Sequence, residues 1–227
     1  MTGLVEVLAS AARLQQVVPE AVLVGGAAAA LFAGHRESFD HDHVLADLAQ
    51  RYADILEAVE STEGWATSVR ASSPPLTLLG SLDGIEAGLR QLRRTRPLEV
   101  EIHELPGGAT LRVPTLPEML RVKAYLVVQR NQVRDYLDTV ALADRLGDQA
   151  VATLAAVDDY YVDRSAVGDS VLTALLQRLS EPSPRDSRVT RQLASYKGLE
   201  PRWHAWSDVT QACAALADGI IEHLESA

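Results

Sequence analysis

The sequence predicts an α+β fold in which a mixed half is followed by an all-helical half. Short apolar runs alternate with helical patterns up to about residue 115, whereas only helical spacing is found from Pro117 onward. The chain has 227 residues, of which 47% are hydrophobic and 23% charged, so it can bury a substantial core. We therefore predict an α/β domain over residues 1–115 and a helical domain over residues 116–227.

Hydrophobic periodicity and turn residues place the elements of the first half. Helices are predicted over 4–18, 27–33 and 46–61, with a basic helix near 84–94. Strands are predicted over 20–24, 39–45, 65–70 and 76–79, and a hairpin joins 98–105 to 110–113 across Pro106-Gly107-Gly108.

The second half follows the helical period throughout. Helices are predicted over 117–130, 133–146, 149–163 and 167–180. A Pro/Ser-rich break over 180–187 then precedes a last helical segment that ends near Glu225. This order indicates a C-terminal helical bundle.

Composition excludes several classes of protein. Cys213 is the single cysteine, which rules out an intrachain disulfide and a Cys-rich metal site. The net charge of −10 argues against a general nucleic-acid binder, but residues 90–134 carry nine bases and four acids, which suits a local polyanion such as a triphosphate or an RNA end. The N-terminus lacks the features of a secretory signal, and the longest apolar run, 22–34, is too short to span a bilayer. We expect a cytoplasmic protein with no membrane partner.

The most informative stretch runs from Val22 to Asp42. A predicted strand ends at Gly25-Gly26 and leads directly into a helix, so free backbone N–H groups would face a ligand at the positive end of that helix. Such a turn binds phosphate oxygens. Taken alone, the diglycine would be read as a plain turn.

Two carboxylates follow on the next predicted strand. Asp40 and Asp42 are two residues apart, so their side chains share one face, roughly 7 Å apart at the backbone. Two such carboxylates repel each other unless a cation lies between them, and Mg²⁺ is the natural choice beside substrate phosphates. His35, His41 and His43 suggest a Zn²⁺ or Fe²⁺ site instead, but strand alternation would turn His41 and His43 away from the aspartates.

A two-metal site for phosphoryl transfer usually needs a third carboxylate from a neighbouring strand. Residues 98–103 alternate between apolar and polar, which places Glu99, Glu101 and His103 on one side. Glu101 is our candidate third metal ligand and Glu99 the reserve, although an exposed edge strand explains both nearly as well.

The last cluster lies in two successive predicted helices. Lys123 stands among apolar neighbours, where an ammonium group needs an anionic partner unless its stem extends to solvent. Arg134, Asp135 and Asp138 open the next helix, where acids favour the helix dipole in any case.

Over roughly residues 15–147 the combination resembles the AbiEii nucleotidyltransferase toxin family, which includes the MenT toxins and belongs to the polymerase-beta-like superfamily. The resemblance rests on Val24-Gly25-Gly26, on Arg36-x-Ser38-x-Asp40-x-Asp42, on Lys123 in its apolar helix and on Arg134-Asp135-x-x-Asp138. It implies a nucleotidyltransferase-like mixed sheet with flanking helices.

The resemblance also implies roles for individual residues. Gly25 and Gly26 would hold the NTP triphosphate, Asp40 and Asp42 the catalytic Mg²⁺, and Lys123 and Asp135 would match the family's functional lysine and aspartate. Arg36, Ser38 and Arg134 belong to the same motifs and are expected to bind substrate. Family members are toxins with a cognate antitoxin, here expected to be AbiEi-like, and the MenT branch transfers nucleotides from NTPs to the 3′ end of tRNA.

Two other functions stay open from the sequence. An acidic C-terminal half could attract a cationic small molecule, as in aminoglycoside nucleotidyltransferases, or the helical half could belong to a non-catalytic partner-binding module. Arg90, Arg93, Arg94 and Arg96 could guide an RNA acceptor, although a solvated helix face explains them as well.

Overall fold

A computed structural model of the chain describes residues 3–164 and 170–226. The chain divides into two compact units. The first contains the residues up to Leu31 together with Glu37–Thr115, and the second contains Phe32–Arg36 together with the residues from Leu116 onward.

The first unit combines helices with most of the strands. Its helices are α1 (Leu4–Val17), α2 (Gly25–Ala33, whose last two residues belong to the second unit) and α3 (Leu48–Glu60). Its strands are β1 (Val22–Val24), β2 (Asp40–Leu45), β3 (Trp65–Thr67), β4 (Thr77–Leu82), β5 (Ile85–Gln91), β6 (Val100–Glu104) and β7 (Thr110–Pro114). The mixed α+β fold predicted from the sequence is confirmed.

In the described part of the chain, five strands form one mixed sheet in the order β1-β2-β5-β4-β3. Strands β2 and β5 run parallel to each other, and the other neighbours are antiparallel. Helices α1 and α3 cover one face of this sheet. Their apolar side chains form a core with those of the strands: Leu14, Val18, Leu45, Leu48, Ile55, Val59, Leu78, Leu82 and Leu89.

The predicted basic helix near 84–94 is wrong, because Ile85–Gln91 form strand β5. Asp83 and Gly84 both adopt positive φ, at 52° and 82°, and join β4 to β5 as a two-residue turn. An Asp-Gly pair is typical of this hairpin turn. Side chains then alternate along β5, and Ala87 and Leu89 are buried on the core side.

Strands β6 and β7 form a separate two-stranded sheet. The hairpin predicted across Pro106-Gly107-Gly108 is confirmed, with Val100 opposite Pro114 and Glu104 opposite Thr110. Side chains of β6 are exposed on both of its faces, including Ile102. This hairpin is therefore not a continuation of the sheet that contains β2.

The second unit is helical. Its α-helices after the end of α2 are α4 (Leu116–Gln129), α5 (Val133–Leu146), α6 (Gln149–Ala155), α7 (Val171–Ser180) and α8 (Trp206–Ser226). Short 3₁₀ helices cover Val157–Tyr160, Val162–Arg164, Ser187–Ser195 and Pro201–Trp203. Within the described ranges, no helix has the length and hydropathy needed to cross a membrane.

The helix predicted over 149–163 ends early, at Ala155. Beyond this end, the Asp158 carboxylate accepts hydrogen bonds from Leu172 N at 2.9 Å and from the Ser170 hydroxyl at 2.6 Å. These bonds hold Asp158 at the start of α7. Of the helix predicted over 167–180, residues 167–169 lie outside the described residues, and Ser170 caps the rest through Thr173 N.

Candidate active site

The two carboxylates of β2 lie on the same face of the sheet. Burial alternates along the strand, with Asp40 and Asp42 half-buried and with His41, His43 and Leu45 buried on the side that carries the helices. His41 Nε2 hydrogen-bonds Ser10 Oγ of α1 at 3.1 Å, which fixes the histidine on that opposite side. The predicted geometry of the aspartate pair is therefore present.

The diglycine turn lies against this pair. Gly25 has φ of +76°, which favours glycine, and a Cβ at this position would stand 3.3 Å from the Cβ of Asp42 and 3.4 Å from its Oδ2. Gly25 and Gly26 are the first residues of α2 and are half-buried. The N-terminus of α2, with its unsatisfied N–H groups, is thus beside the Asp42 carboxylate.

Both carboxylates are held by neighbouring side chains. The Ser38 hydroxyl donates to Asp40 Oδ1 at 3.2 Å and is itself buried. Arg90 Nε donates to Asp42 Oδ1 at 3.1 Å, in an ion pair that stays partly exposed. The predicted site residue Ser38 is therefore placed at the pair.

The sequence did not indicate that Arg90 contacts the aspartate pair. In register, β5 places Glu86 beside Asp40 and Gly88 beside Asp42, with Arg90 two residues further on the same face. Alternation of residues 86, 88 and 90 with Ala87 and Leu89 would have shown this pattern, but the helical assignment of this segment concealed it.

The structure does not bring Glu101 to the aspartate pair. Glu101 lies on β6, in the two-stranded sheet, and is exposed to solvent, as is its reserve Glu99. Among the residues the structure describes, no group of three or more His, Cys, Asp or Glu side chains is arranged to hold a metal ion. The prediction of a third ligand assumed that β6 pairs beside β2, whereas β6 pairs with β7.

The alternative zinc or iron site is not formed by the described residues. His41 and His43 face the core, and burial lowers the pKa of His41 to about 4 and that of His43 well below its ordinary value. His35 belongs to the second unit, where its Nε2 donates to Asp138 Oδ1 at 2.8 Å. The three histidines therefore have separate environments.

In the second unit, Asp138 is the centre of a buried ionic cluster. Lys123 Nζ lies 2.7 Å from Asp138 Oδ2. Arg36 donates to the same carboxylate, from Nε to Oδ1 at 2.7 Å and from Nη2 to Oδ2 at 2.9 Å. With His35, these residues are at most 5% exposed. Lys123 thus has the anionic partner that its apolar surroundings require.

The charges within this cluster control the pKa values of its members. Burial lowers the pKa of Lys123, and the attraction of Asp138 only partly offsets this effect. Burial raises the pKa of the Asp138 carboxyl, but Lys123 and Arg36 outweigh burial and hold that pKa well below its ordinary value. Two cations therefore share one carboxylate, and Asp138 stays ionised.

Asp135 and Arg134 differ in their surroundings. Asp135 is buried, where it accepts a hydrogen bond from Gln132 N at 3.4 Å and pairs with Arg130, so it caps the start of α5. The neighbouring Arg134 is exposed. Their predicted parts in the reaction stay predictions.

The basic zone predicted over 90–134 is largely taken up by internal contacts. Arg121 pairs with buried Glu118, and Arg130 pairs with Asp135. Arg94 is only 6% exposed and donates to Arg96 O and Pro97 O. Since 84–91 is mostly strand, Arg90, Arg93, Arg94 and Arg96 do not form the helix face that was predicted.

The residues at Asp40 and Asp42 fit a divalent cation. Mg²⁺ in proteins is commonly held by one or two carboxylates together with substrate phosphates, and both elements are matched by this pair and the adjacent turn. Both carboxylates stay partly exposed, so a hydrated ion can reach them.

Comparison with protein-family models finds no match. Part of the chain is similar to curated mycobacterial proteins: 32% identical over 132 residues to the mycolic acid-containing lipids exporter MmpL11 of Mycolicibacterium smegmatis, and 33% identical over 131 residues to the heme uptake protein MmpL11 of Mycobacterium tuberculosis. These matches cover 58% and 57% of this chain. They cover only 13% of either relative, so the chain spans a small part of their length.

The fold is similar to solved structures over nearly the whole chain. The nucleotidyltransferase toxin MenT4 of Mycobacterium tuberculosis superposes with a TM-score of 0.61 at 18% identity, covering 95% of this chain and 82% of MenT4. JHP933 of Helicobacter pylori superposes with a TM-score of 0.52 at 15% identity, covering 97% of this chain and 91% of that protein. The chain therefore has a MenT-like nucleotidyltransferase fold, as its motifs predicted.

Proposed function

We propose that this protein is a Mg²⁺-dependent nucleotidyltransferase that transfers a nucleotide from an NTP to an RNA acceptor. One observation carries the proposal: Asp40 and Asp42 share one face of β2, and the positive-φ turn at Gly25 lies against Asp42. A phosphate-binding helix terminus beside two carboxylates is an arrangement suited to a metal-bound triphosphate.

Different residues of the first unit bind the cation and the phosphates in this proposal. Asp40 and Asp42 hold the cation, while the backbone N–H groups at Gly25 and Gly26 bind phosphate oxygens. Ser38 orients Asp40 through its hydrogen bond to Oδ1, and Arg90 neutralises Asp42 until a cation takes its place. Bound Mg²⁺ supplies charge neutralisation for the phosphates and acidifies a hydroxyl that it contacts.

The second unit supplies positive charge in this proposal. Lys123 and Asp135 take the parts of the functional lysine and aspartate of the AbiEii family, and Arg36 and Arg134 contribute to substrate binding. The buried cluster supports a joint action of Arg36 and Lys123, since Asp138 contacts both and holds them in place.

The proposed acceptor is the 3′ end of tRNA, and the proposed biological role is that of a toxin with an AbiEi-like antitoxin in the cytoplasm. The similarity in fold to a nucleotidyltransferase toxin supports this role. The acceptor itself rests on the resemblance of the motifs to the MenT branch.

The test is transfer from labelled NTPs in the presence of Mg²⁺, with total tRNA or an aminoglycoside as acceptor. Asp42→Asn should lower the rate on the order of 10³-fold or more, because a metal ligand is lost. Asp54→Asn, which removes an exposed carboxylate from α3, serves as the matched control and should leave the rate unchanged.

Three results would contradict the proposal. Near-wild-type transfer by Asp42→Asn would exclude the aspartate pair from catalysis. Transfer to the aminoglycoside but not to tRNA would establish the small-molecule alternative. A melting shift with NTP and Mg²⁺, without transfer to any acceptor, would indicate a binding module.

A further inference from the structure

A second basic segment lies in the helical unit. Residues 182–197 carry four bases and one acid in a chain of net charge −10. Arg185, Arg188 and Arg191 from this segment are exposed, as is Arg134. In the described part of the chain, none of these four side chains makes an ion pair or hydrogen bond, in contrast to Arg121, Lys123 and Arg130, which are paired with acids.

Specific hydrogen bonds hold this segment on the start of α5. Arg185 N donates to Asn131 O at 2.8 Å, and Asn131 Nδ2 donates to Ser183 O at 2.8 Å. The acid of the segment, Asp186, accepts from Val133 N at 2.8 Å, so one of its oxygens is engaged in capping the helix. Arg134 is the next residue of α5 and is exposed at the same end of that helix.

The 3₁₀ helix Ser187–Ser195 orders two of the arginines. Residues three apart in a 3₁₀ helix lie above one another, about 6 Å apart along the axis, and this holds for Arg188 and Arg191. The kink of this helix lies beyond them, at Gln192, and Leu193 is buried and anchors it. Arg134, Arg185, Arg188 and Arg191 are called the arginine surface below.

We propose that the arginine surface binds the sugar–phosphate backbone of the RNA acceptor. Guanidinium groups bind phosphate oxygens through paired N–H donors, and exposed arginines without internal partners are available for this contact. Ser187 and Gln192 of the same helix are exposed and add polar groups of the kind that bind phosphates and ribose hydroxyls. The inference rests on the proposed function, from which the RNA acceptor is taken.

The composition of the surface favours RNA over a lipid bilayer. Interfacial helices insert large exposed apolar side chains into the membrane. Here Leu193 is buried and Val189 is half-buried. The described segment 183–196 therefore offers charge and hydrogen-bonding groups with little apolar area for insertion.

Direct binding of fluorescein-labelled total tRNA, measured by fluorescence anisotropy without NTP over a range of salt concentrations, tests the inference. Arg188→Glu/Arg191→Glu should weaken binding at least tenfold and reduce the salt slope by about 1.4 to 1.8, for two lost phosphate contacts. Arg70→Glu/Arg145→Glu makes the same change in net charge at exposed positions outside the surface and should retain the wild-type slope.

A neutral variant guards against misfolding. Arg185→Gln/Arg188→Gln/Arg191→Gln should lower the tRNA affinity while keeping the wild-type melting temperature. Equal affinities of the surface and control variants would overturn the inference. The inference would also be overturned if the arginine surface bound vesicles of equimolar phosphatidylglycerol and phosphatidylcholine in a charge-dependent way and did not bind tRNA.

The transfer assay separates this inference from the proposed function. Arg188→Glu/Arg191→Glu should raise KM for tRNA with kcat near the wild-type value, whereas Asp42→Asn should bind tRNA normally and fail in transfer. An unchanged KM for tRNA with intact transfer would refute the arginine surface alone. If the wild-type protein shows no transfer but Arg188→Glu/Arg191→Glu still lowers the affinity for tRNA, the proposed function alone would be refuted.

Discussion

Gly88 of β5 leaves the space in which the Asp42 carboxylate of β2 lies. A Cβ on Gly88 would stand 2.4 Å from Asp42 Oδ1, closer than real Cβ contacts allow, and 3.0 Å from Leu79 Cδ2, which is a tight contact. Because the two residues are in register on parallel strands, the absent side chain at 88 determines where this carboxylate can point.

Gly88→Ala should therefore displace Asp42 while leaving the fold intact. We expect transfer to fall about 10²-fold, since a displacement near 1 Å at a reacting centre has an effect of this size. The rate of NTP-dependent transfer measures it. Gly3→Ala, at a glycine with no atom within 4 Å of the added Cβ, is the control, and equal rates for the two variants would disprove the steric argument.

Arg90 competes with a cation for the Asp42 carboxylate. Its guanidinium must leave Asp42 Oδ1 when an ion takes that oxygen, and a partly exposed pair of this kind contributes about 0.2–1 kcal/mol. Arg90→Gln should lower the half-saturating Mg²⁺ concentration in the transfer assay by a factor of about 1.5 to 5. Arg51→Gln, which breaks an exposed pair with Asp47, should not change it.

Asp138 balances two buried cations of the second unit. Asp138→Asn keeps the shape of the side chain but leaves Arg36 and Lys123 without their carboxylate. Because buried charges then lack a partner, the folded protein should lose about 3–5 kcal/mol of stability. Urea denaturation measures the free energy of unfolding. Asp144→Asn, which breaks the exposed pair with Arg202, should change it by less than about 1 kcal/mol. A similar decrease in the free energy of unfolding in both variants would contradict the argument that burial makes the Asp138 pairs important.

His41 and His43 make stability depend on pH. Burial lowers the pKa of His41 from 6.5 to about 4, so the unfolded chain binds a proton in this range that the folded chain does not. The free energy of unfolding should therefore fall as the pH decreases from 6.5 toward 4, by up to about 1.4 kcal/mol per pH unit for each such histidine.

His41→Gln should reduce this slope by the share of one histidine, and denaturation at several pH values measures it. His223→Gln, at an exposed position of α8, should retain the wild-type slope. The low pKa of Asp138 acts in a separate window, because its contribution is lost only as the pH falls below that carboxyl's ordinary value of 3.8. A slope that is unchanged in His41→Gln would contradict the explanation from burial.

Much of the fold could be predicted from local patterns. The period of apolar residues predicted α1, α3, β2 and the β6–β7 hairpin close to their observed bounds. Strand alternation correctly placed Asp40 and Asp42 on one face and His41 on the other. β5 was mistaken for a helix because its arginines and small residues carry a weak local signal, and its strand conformation depends on pairing with β2 and β4.

By itself, the amino-acid sequence determined most helices and strands other than β5, together with the aspartate pair and the glycine turn, since each of these depends on residues close together along the chain. Only the tertiary structure decided which strands are neighbours and which charges meet. It placed Glu101 in a separate sheet, brought Arg90 to Asp42 and brought Arg36, Lys123 and Asp138 together across about a hundred residues. Such contacts depend on strand pairing and on the burial of charge between distant segments, and neither has a local periodicity to reveal it.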